Sequence, residues 1–199
     1  MQILLQTILD GNYWVPKRMA AIKENHQEDI FEKYSADPRR YAFEFQVHSM
    51  AQRLAQQNVI DRMGGVIFQG QPLEVDRWVY AEANRGHIGE AFATYERMYQ
   101  EVSRRVGSPE MYLYLRIPPE RVEILQRRIQ LSGRAGEQQF VSNPAYLRSI
   151  IEFNEHFFHE IVRKPVLEID AIHPAFDGDT EEHLPFFTEL FQPVSHFKF

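Results

Sequence analysis

Apolar positions along the chain switch between two periods, and the switches mark its elements. Gln27–Ser35 carries Ile30, Phe31 and Tyr34 at helical spacing, and Asp37-Pro38 then turns the chain into a long helix, about Arg40 to Arg62. Phe43, Val47, Met50, Leu54 and Val59 predict its apolar face, and Gly64-Gly65 its stop. Ala91–Val106 predicts a second amphipathic helix through Phe92, Tyr95, Met98, Tyr99 and Val102. Glu120–Leu131 and a segment opened by Asn143-Pro144 and running to Val162 predict two more.

Short apolar runs fall between these helices. Val66–Phe68 and Leu73–Val75 read as extended, Met111–Ile117 (MYLYLRI) is the clearest buried strand, and Pro165–Ile169 the last. Met1–Leu9 fits a first helix or a first strand, ended by Gly11-Asn12, and Tyr13–Pro16 a short strand. Strands alternating with helices of this length predict an α/β domain, a parallel sheet flanked by helices, with ligands at the carboxyl ends of its strands. No repeat or linker divides the 199 residues, so one domain is expected.

Composition narrows the chemistry by exclusion. Zero cysteines remove disulfides, thiolate metal sites and cysteine nucleophiles. A net charge of −6 opposes a nucleic-acid surface, and mean hydropathy of −0.44 with no long apolar run opposes a membrane span. No signal peptide is visible at Met1–Leu9. A G-x-S-x-G nucleophile motif is absent, as is G-x-x-x-x-G-K-[ST], the turn whose backbone N–H groups and lysine hold phosphates. His156 and His159 stand at i, i+3 without a third convergent ligand, which reads as a surface pair. The tail FTELFQPVSHFKF reads as core covering or a partner interface, with a short helix over Glu181–Phe191.

Four motifs in order resemble the deoxynucleoside kinase family, which includes a kinase-like accessory subunit of mitochondrial respiratory complex I. FEKYSADPRRYAFEFQ is similar to the family's aromatic-then-DPxRWxFxxQ segment, which implies that Gln46 grips the base. Arg53 matches the arginine near the substrate's 5′ end, and Gln46 and Arg53, seven residues apart, share one helical face. VDRWVYAE resembles the motif at a strand's end in which Asp76 stands for the magnesium-associated carboxylate and Arg77 for the charge-stabilising arginine. Glu82 falls where the family has an aspartate facing base or sugar. RRIQLSGRAGEQ resembles the lid over ATP, with Arg128 and Arg134 as its phosphate arginines and its span at about 128–140. NPAYLRSIIEFNEHFF resembles the family's YLxxLxxxHxxW helix.

The resemblance thus implies a deoxynucleoside kinase fold over residues 1–199, ending in an aromatic tail at about 171–199, lacking its N-terminal strand and P-loop. Departures accompany it. The sugar-contact tyrosine aligns with Ser35, Tyr34 standing one place early; Trp78 replaces a serine beside Asp76-Arg77, and Ser132 a lid arginine. Glu24 is the nearest stand-in for the general-base glutamate. Two functions follow as expectations. One is a non-catalytic subunit of a larger assembly of the complex I type, on the mitochondrial matrix side, with no cofactor and a deoxynucleoside as the possible ligand. The other is a truncated active kinase, cytoplasmic and homodimeric, phosphorylating a deoxynucleoside 5′-hydroxyl with ATP and magnesium.

Overall fold

The computed structural model describes residues 19–22, 28–63, 65–132, 136–173 and 176. The expected elements Met1–Leu9, Tyr13–Pro16 and Glu181–Phe191 lie outside those residues. β1 (Met19–Ile22) leads to α1 (Glu28–Ala36) and α2 (Pro38–Ile60), then β2 (Val66–Gln69). α3 (Leu73–Val75) continues without a break into wider helical turns over Asp76–Ala81, followed by α4 (Arg85–Ile88) and α5 (Phe92–Ser103). β3 (Tyr112–Arg116), α6 (Val122–Ser132), α7 (Gln138–Val141), α8 (Pro144–His156, widening over Phe157–Ile161) and β4 (Val166–Asp170) complete the order.

Both strand pairings are parallel. β1 lies beside β2 with Met19 opposite Val66, and β3 beside β4 with Tyr112 opposite Val166. Among the described residues these form two separate two-stranded sheets.

The Asx-Pro signals work as caps. Asp37 accepts from the Arg40 N–H at 3.3 Å and Asn143 from the Tyr146 N–H at 3.1 Å, each followed by a proline whose missing N–H costs nothing in the first turn. α2 corrects the expected face. Its buried positions are Ala42, Phe45, Gln46, Ser49, Met50 and Arg53, while Val59 is 51% exposed. The apolar repeat had selected Phe43, Val47 and Leu54, which are only half-buried, because three polar side chains point inward. The Asp76-Arg77 dipeptide is also corrected. It does not end a strand; Gly70-Gln71-Pro72 separates it from β2, and it opens the wide-turned part of α3.

One apolar cluster joins Tyr34, Phe45, Met50, Leu73, Phe92 and Tyr95; another joins Val75, Val79, Tyr112, Ile150 and Phe157. Gly136, between α6 and α7, has φ of 81°, and an added Cβ would stand 3.0 Å from the Phe31 ring and 3.2 Å from Ser35 Oγ. Gly136→Ala is therefore expected to cost about 1–2 kcal/mol from the left-handed backbone alone, read as a lower urea midpoint at unchanged m-value.

Candidate functional site

A cavity of about 650 Å³ separates α1, α2 and the turn after β2 from β3, α6 and α8. That volume lies in the range of small-molecule sites. Tyr34, Phe45, Gln46, Asp76, Arg128 and Glu137 are among its lining residues. The aromatic wall is ordered: Tyr34 stacks on Phe45 at 4.5 Å between centroids with 6° between planes, and Phe140 stacks on Tyr146 at 5.1 Å. Flat rings in this arrangement suit a planar ligand.

Gln46 is the exceptional side chain. It is 1% exposed, and neither its Oε1 nor its Nε2 has a hydrogen-bond partner. An unmade hydrogen bond at a buried amide costs about 1–3 kcal/mol, so the amide is poised for a ligand edge that presents a donor beside an acceptor. Nucleobase edges do this.

Tyr34 and Tyr146, which also line the cavity, close a polar ring with Asn84. Tyr34 Oη donates to Asn84 Oδ1 at 2.8 Å, and Asn84 Nδ2 donates to Tyr146 Oη at 3.3 Å. With Tyr34's hydrogen used, Tyr146 is the donor across the 3.0 Å Tyr34–Tyr146 contact. Burial pushes both phenols up in pKa, so both stay neutral. Tyr34→Phe leaves Asn84 Oδ1 buried without its donor and is expected to cost about 1–3 kcal/mol in thermal or urea unfolding.

The expected charged residues form two internal clusters. Arg53 and Asp76 are buried, at 0% and 3% side-chain exposure, with Arg53 Nε donating to Asp76 Oδ2 at 2.8 Å and Nη2 to Oδ1 at 3.3 Å. Gln71 Nε2 also donates to Asp76 Oδ1. Arg77 pairs with Glu82 at 2.6 Å and with Glu96, and its guanidinium lies 4.4 Å from the Trp78 ring centre. Glu82 takes two further bonds from Arg85, at 2.8 and 3.0 Å. Asp76 lines the cavity; Arg53, Arg77 and Glu82 do not. Arg128 lines it and donates to the Ala171 carbonyl at 2.5 Å. Glu24 and Arg134 lie outside the described residues.

Arg85, then Arg77, hold the Glu82 carboxyl below the ordinary 4.5 against the opposing effect of burial. A carboxyl with a lowered folded pKa stabilises the fold above its unfolded pKa, and that stability is lost as pH falls through the folded value. Acid unfolding is thus expected to steepen below pH 4.5, and Glu82→Gln to flatten that part of the melting-temperature profile.

Asn84, Tyr146 and Gln71 were not anticipated from sequence. Tyr146 stood inside the motif similar to the family's YLxxLxxxHxxW helix, which was the available signal. Asn84 and Gln71 carried none. Among the described residues no cluster of three or more metal-ligating side chains occurs, and no helix is long and apolar enough to cross a membrane. His159 contacts Glu168 at 3.0 Å rather than a second histidine.

The fold and site together define a parallel-stranded α/β protein with a ring-walled cleft and an unpaired amide set into it. The deoxynucleoside kinase model matches residues 5–192, and the chain belongs to the deoxynucleoside kinase family. Deoxyadenosine kinase from M. mycoides with products dCMP and a flexible dCDP bound has a similar structure. The TM-score is 0.71 at 18% identity, covering 94% of this chain and 90% of that one. The same kinase with dATP bound gives a TM-score of 0.67 at 20% identity, covering 85% and 84%. With dCTP bound the values are 0.68, 18%, 94% and 90%. No curated protein sequence matches the chain.

Proposed function

We propose that this chain binds a deoxynucleoside and serves as a binding or structural subunit, without transferring phosphate by itself. The observation that carries the binding is the Gln46 amide, buried, unpaired and set in the wall of an aromatic cavity. A base stacked among Phe45, Phe31 and Phe140 would complete both of its hydrogen bonds. Tyr34, one place earlier than the family pattern, reaches the cavity and fills the role that Ser35, bonded to the Phe31 carbonyl, does not.

Two features support the non-catalytic half. Asp76, the carboxylate matched to magnesium, is surrounded by donors, with a guanidinium nitrogen at 2.8 Å. A magnesium ion does not fit against a carboxylate held in this way, and no catalytic step is routed through one here. Arg77, matched to charge stabilisation, is neutralised by Glu82 and Glu96 and sandwiched with Trp78. The resemblance to the complex I accessory subunit supplies an assembly of that kind and the mitochondrial matrix as its setting.

A second reading, ATP-dependent 5′-phosphorylation, is favoured by the solved relatives, whose structures hold dATP, dCTP and dCMP. In it, Arg128 faces the phosphates, and ATP and magnesium are required. Two measurements separate the readings. Calorimetric titration with each deoxynucleoside is expected to show binding of at least one, and no heat with any of them sinks the binding half. Transfer of labelled γ-phosphate is expected to stay at background; turnover abolished by Asp76→Asn establishes the kinase instead. Native size exclusion is expected to place the chain in a large complex, whereas a free dimer supports the kinase.

A further inference from the structure

His156 and His159, a pair in sequence, part in the fold. His156 is exposed on α8, whereas His159 stands between two carboxylates. Its Nε2 lies 3.0 Å from Glu168 Oε2 on β4, and its Nδ1 lies 3.7 Å from Glu155 Oε2, one helical turn back. The two carboxylates also share one guanidinium. Arg116 on β3 donates to Glu155 from Nε at 2.9 Å and from Nη2 at 2.9 Å, and its Nε is 3.5 Å from Glu168 Oε1. Tyr114, two residues earlier, donates to Glu155 Oε1 at 2.7 Å and meets the His159 ring edge-on. Among the described residues, the charged and titratable groups facing His159 are thus Glu155 from α8, Tyr114 and Arg116 from β3, and Glu168 from β4. Its chain neighbours Glu160, Arg163 and Lys164 are exposed.

The number of protons on the ring decides what the cluster can do. A neutral imidazole carries one N–H, so one of its two nitrogens turns a lone pair toward a carboxylate. An imidazolium carries an N–H on both, and each then points at an anion. The charges change in step. With a neutral ring two carboxylates face one guanidinium; with a protonated ring they face two cations. Glu155 keeps its charge through this change. Burial pushes its carboxyl up, but Arg116 and Tyr114, with His159, hold it below the ordinary 4.5. Histidines in general change charge around neutral pH, and His159 is 43% exposed, so solvent protons reach it.

The cluster is joined to the cavity by packing. Phe158, beside His159, stacks on Tyr114 at 4.2 Å between centroids, and both rings line the cavity. The Val162 N–H donates to the Phe157 carbonyl at 2.9 Å, closing the wide turns that carry Phe158 and His159. We propose that His159 is a proton-operated clasp: when charged, it fastens the wide-turned end of α8 to β3 and β4, and with it the Phe158–Tyr114 wall of the cavity. The added stability is present on the acid side, where the ring is charged, and is lost as rising pH removes the proton.

Thermal unfolding of the full chain from about pH 8 to about pH 6 tests this, with His159→Gln as the comparison. Glutamine keeps a side-chain N–H for Glu168 but cannot gain a proton. The groups are partly exposed, so the effect is modest. Acidification is expected to raise the melting temperature of the parent chain by about 1–3 °C relative to His159→Gln. Parallel profiles for the two proteins overturn the proposal. Glu168→Gln keeps an acceptor and removes one anion, and is expected to shrink the response; an undiminished response overturns the proposal as well. Amide exchange locates the effect. At the acid end Val162 is expected to exchange about threefold or more faster in His159→Gln than in the parent, and at the alkaline end equally fast. Rates that differ by the same factor at both ends, or at neither, make His159 a structural contact and overturn the clasp. No nucleoside is present in these measurements, so their outcome is separate from that of the deoxynucleoside titration.

Discussion

Arg53→Met is expected to destabilise the chain by about 3–5 kcal/mol, much of the 5–15 kcal/mol that holds a domain together. The loss of attraction is not the main reason. Asp76 is 2% exposed, and the Arg53 guanidinium grips both of its oxygens from within the fold. Removing the guanidinium strips two hydrogen bonds and a neutralising charge from a desolvated carboxylate. Urea unfolding followed by circular dichroism measures the effect. The double variant Arg53→Met with Asp76→Leu discriminates the cause: with both charges gone, most of the lost stability is expected to return. A single variant that costs under about 1 kcal/mol would match a solvent-screened pair instead, contradicting a buried one.

Gln46→Leu is expected to move stability and binding in opposite directions. An amide with both ends buried and unpaired already carries the desolvation cost in the free protein, so leucine of similar size removes that cost. Stability is expected to stay level or rise by about 1 kcal/mol. Deoxynucleoside affinity is expected to fall about 10- to 100-fold, the equivalent of about 1–3 kcal/mol for one bidentate amide–base contact. Calorimetric titration and thermal unfolding on the same preparation give both numbers. A variant that loses stability while keeping its affinity makes Gln46 a structural residue and removes the support for the proposed function.

The two variants also separate two residues that looked alike in sequence. Gln46 and Arg53 were paired as ligand contacts because seven residues place both on one face of α2, and they do share the buried face. What each does there differs. Gln46 meets open space, while Arg53 meets Asp76, twenty-three residues on. The dipeptide Asp76-Arg77 shows the same limit. Leu73–Val75 followed an extended run and read as more strand, but a turn at Gly70-Gln71-Pro72 starts a helix instead. That places Asp76 inward against α2 and Arg77 toward Glu82 and Glu96. Asn84, one of the three residues of the polar ring, gave no signal, because its partners Tyr34 and Tyr146 are 50 and 62 residues distant.

Local sequence determined what short-range physics can determine. It set the long helix after Asp37-Pro38, the helix after Asn143-Pro144, the apolar strand at Met111–Ile117 and the parallel class that alternation implies. Capping, φ restriction and side-chain period act within a few residues, so they are legible in one dimension. Tertiary structure alone decided which charges cancel, which amide stays unpaired, and which elements wall the cavity. Those outcomes depend on burial and on partners brought together across tens of residues, where one buried contact outweighs any local preference.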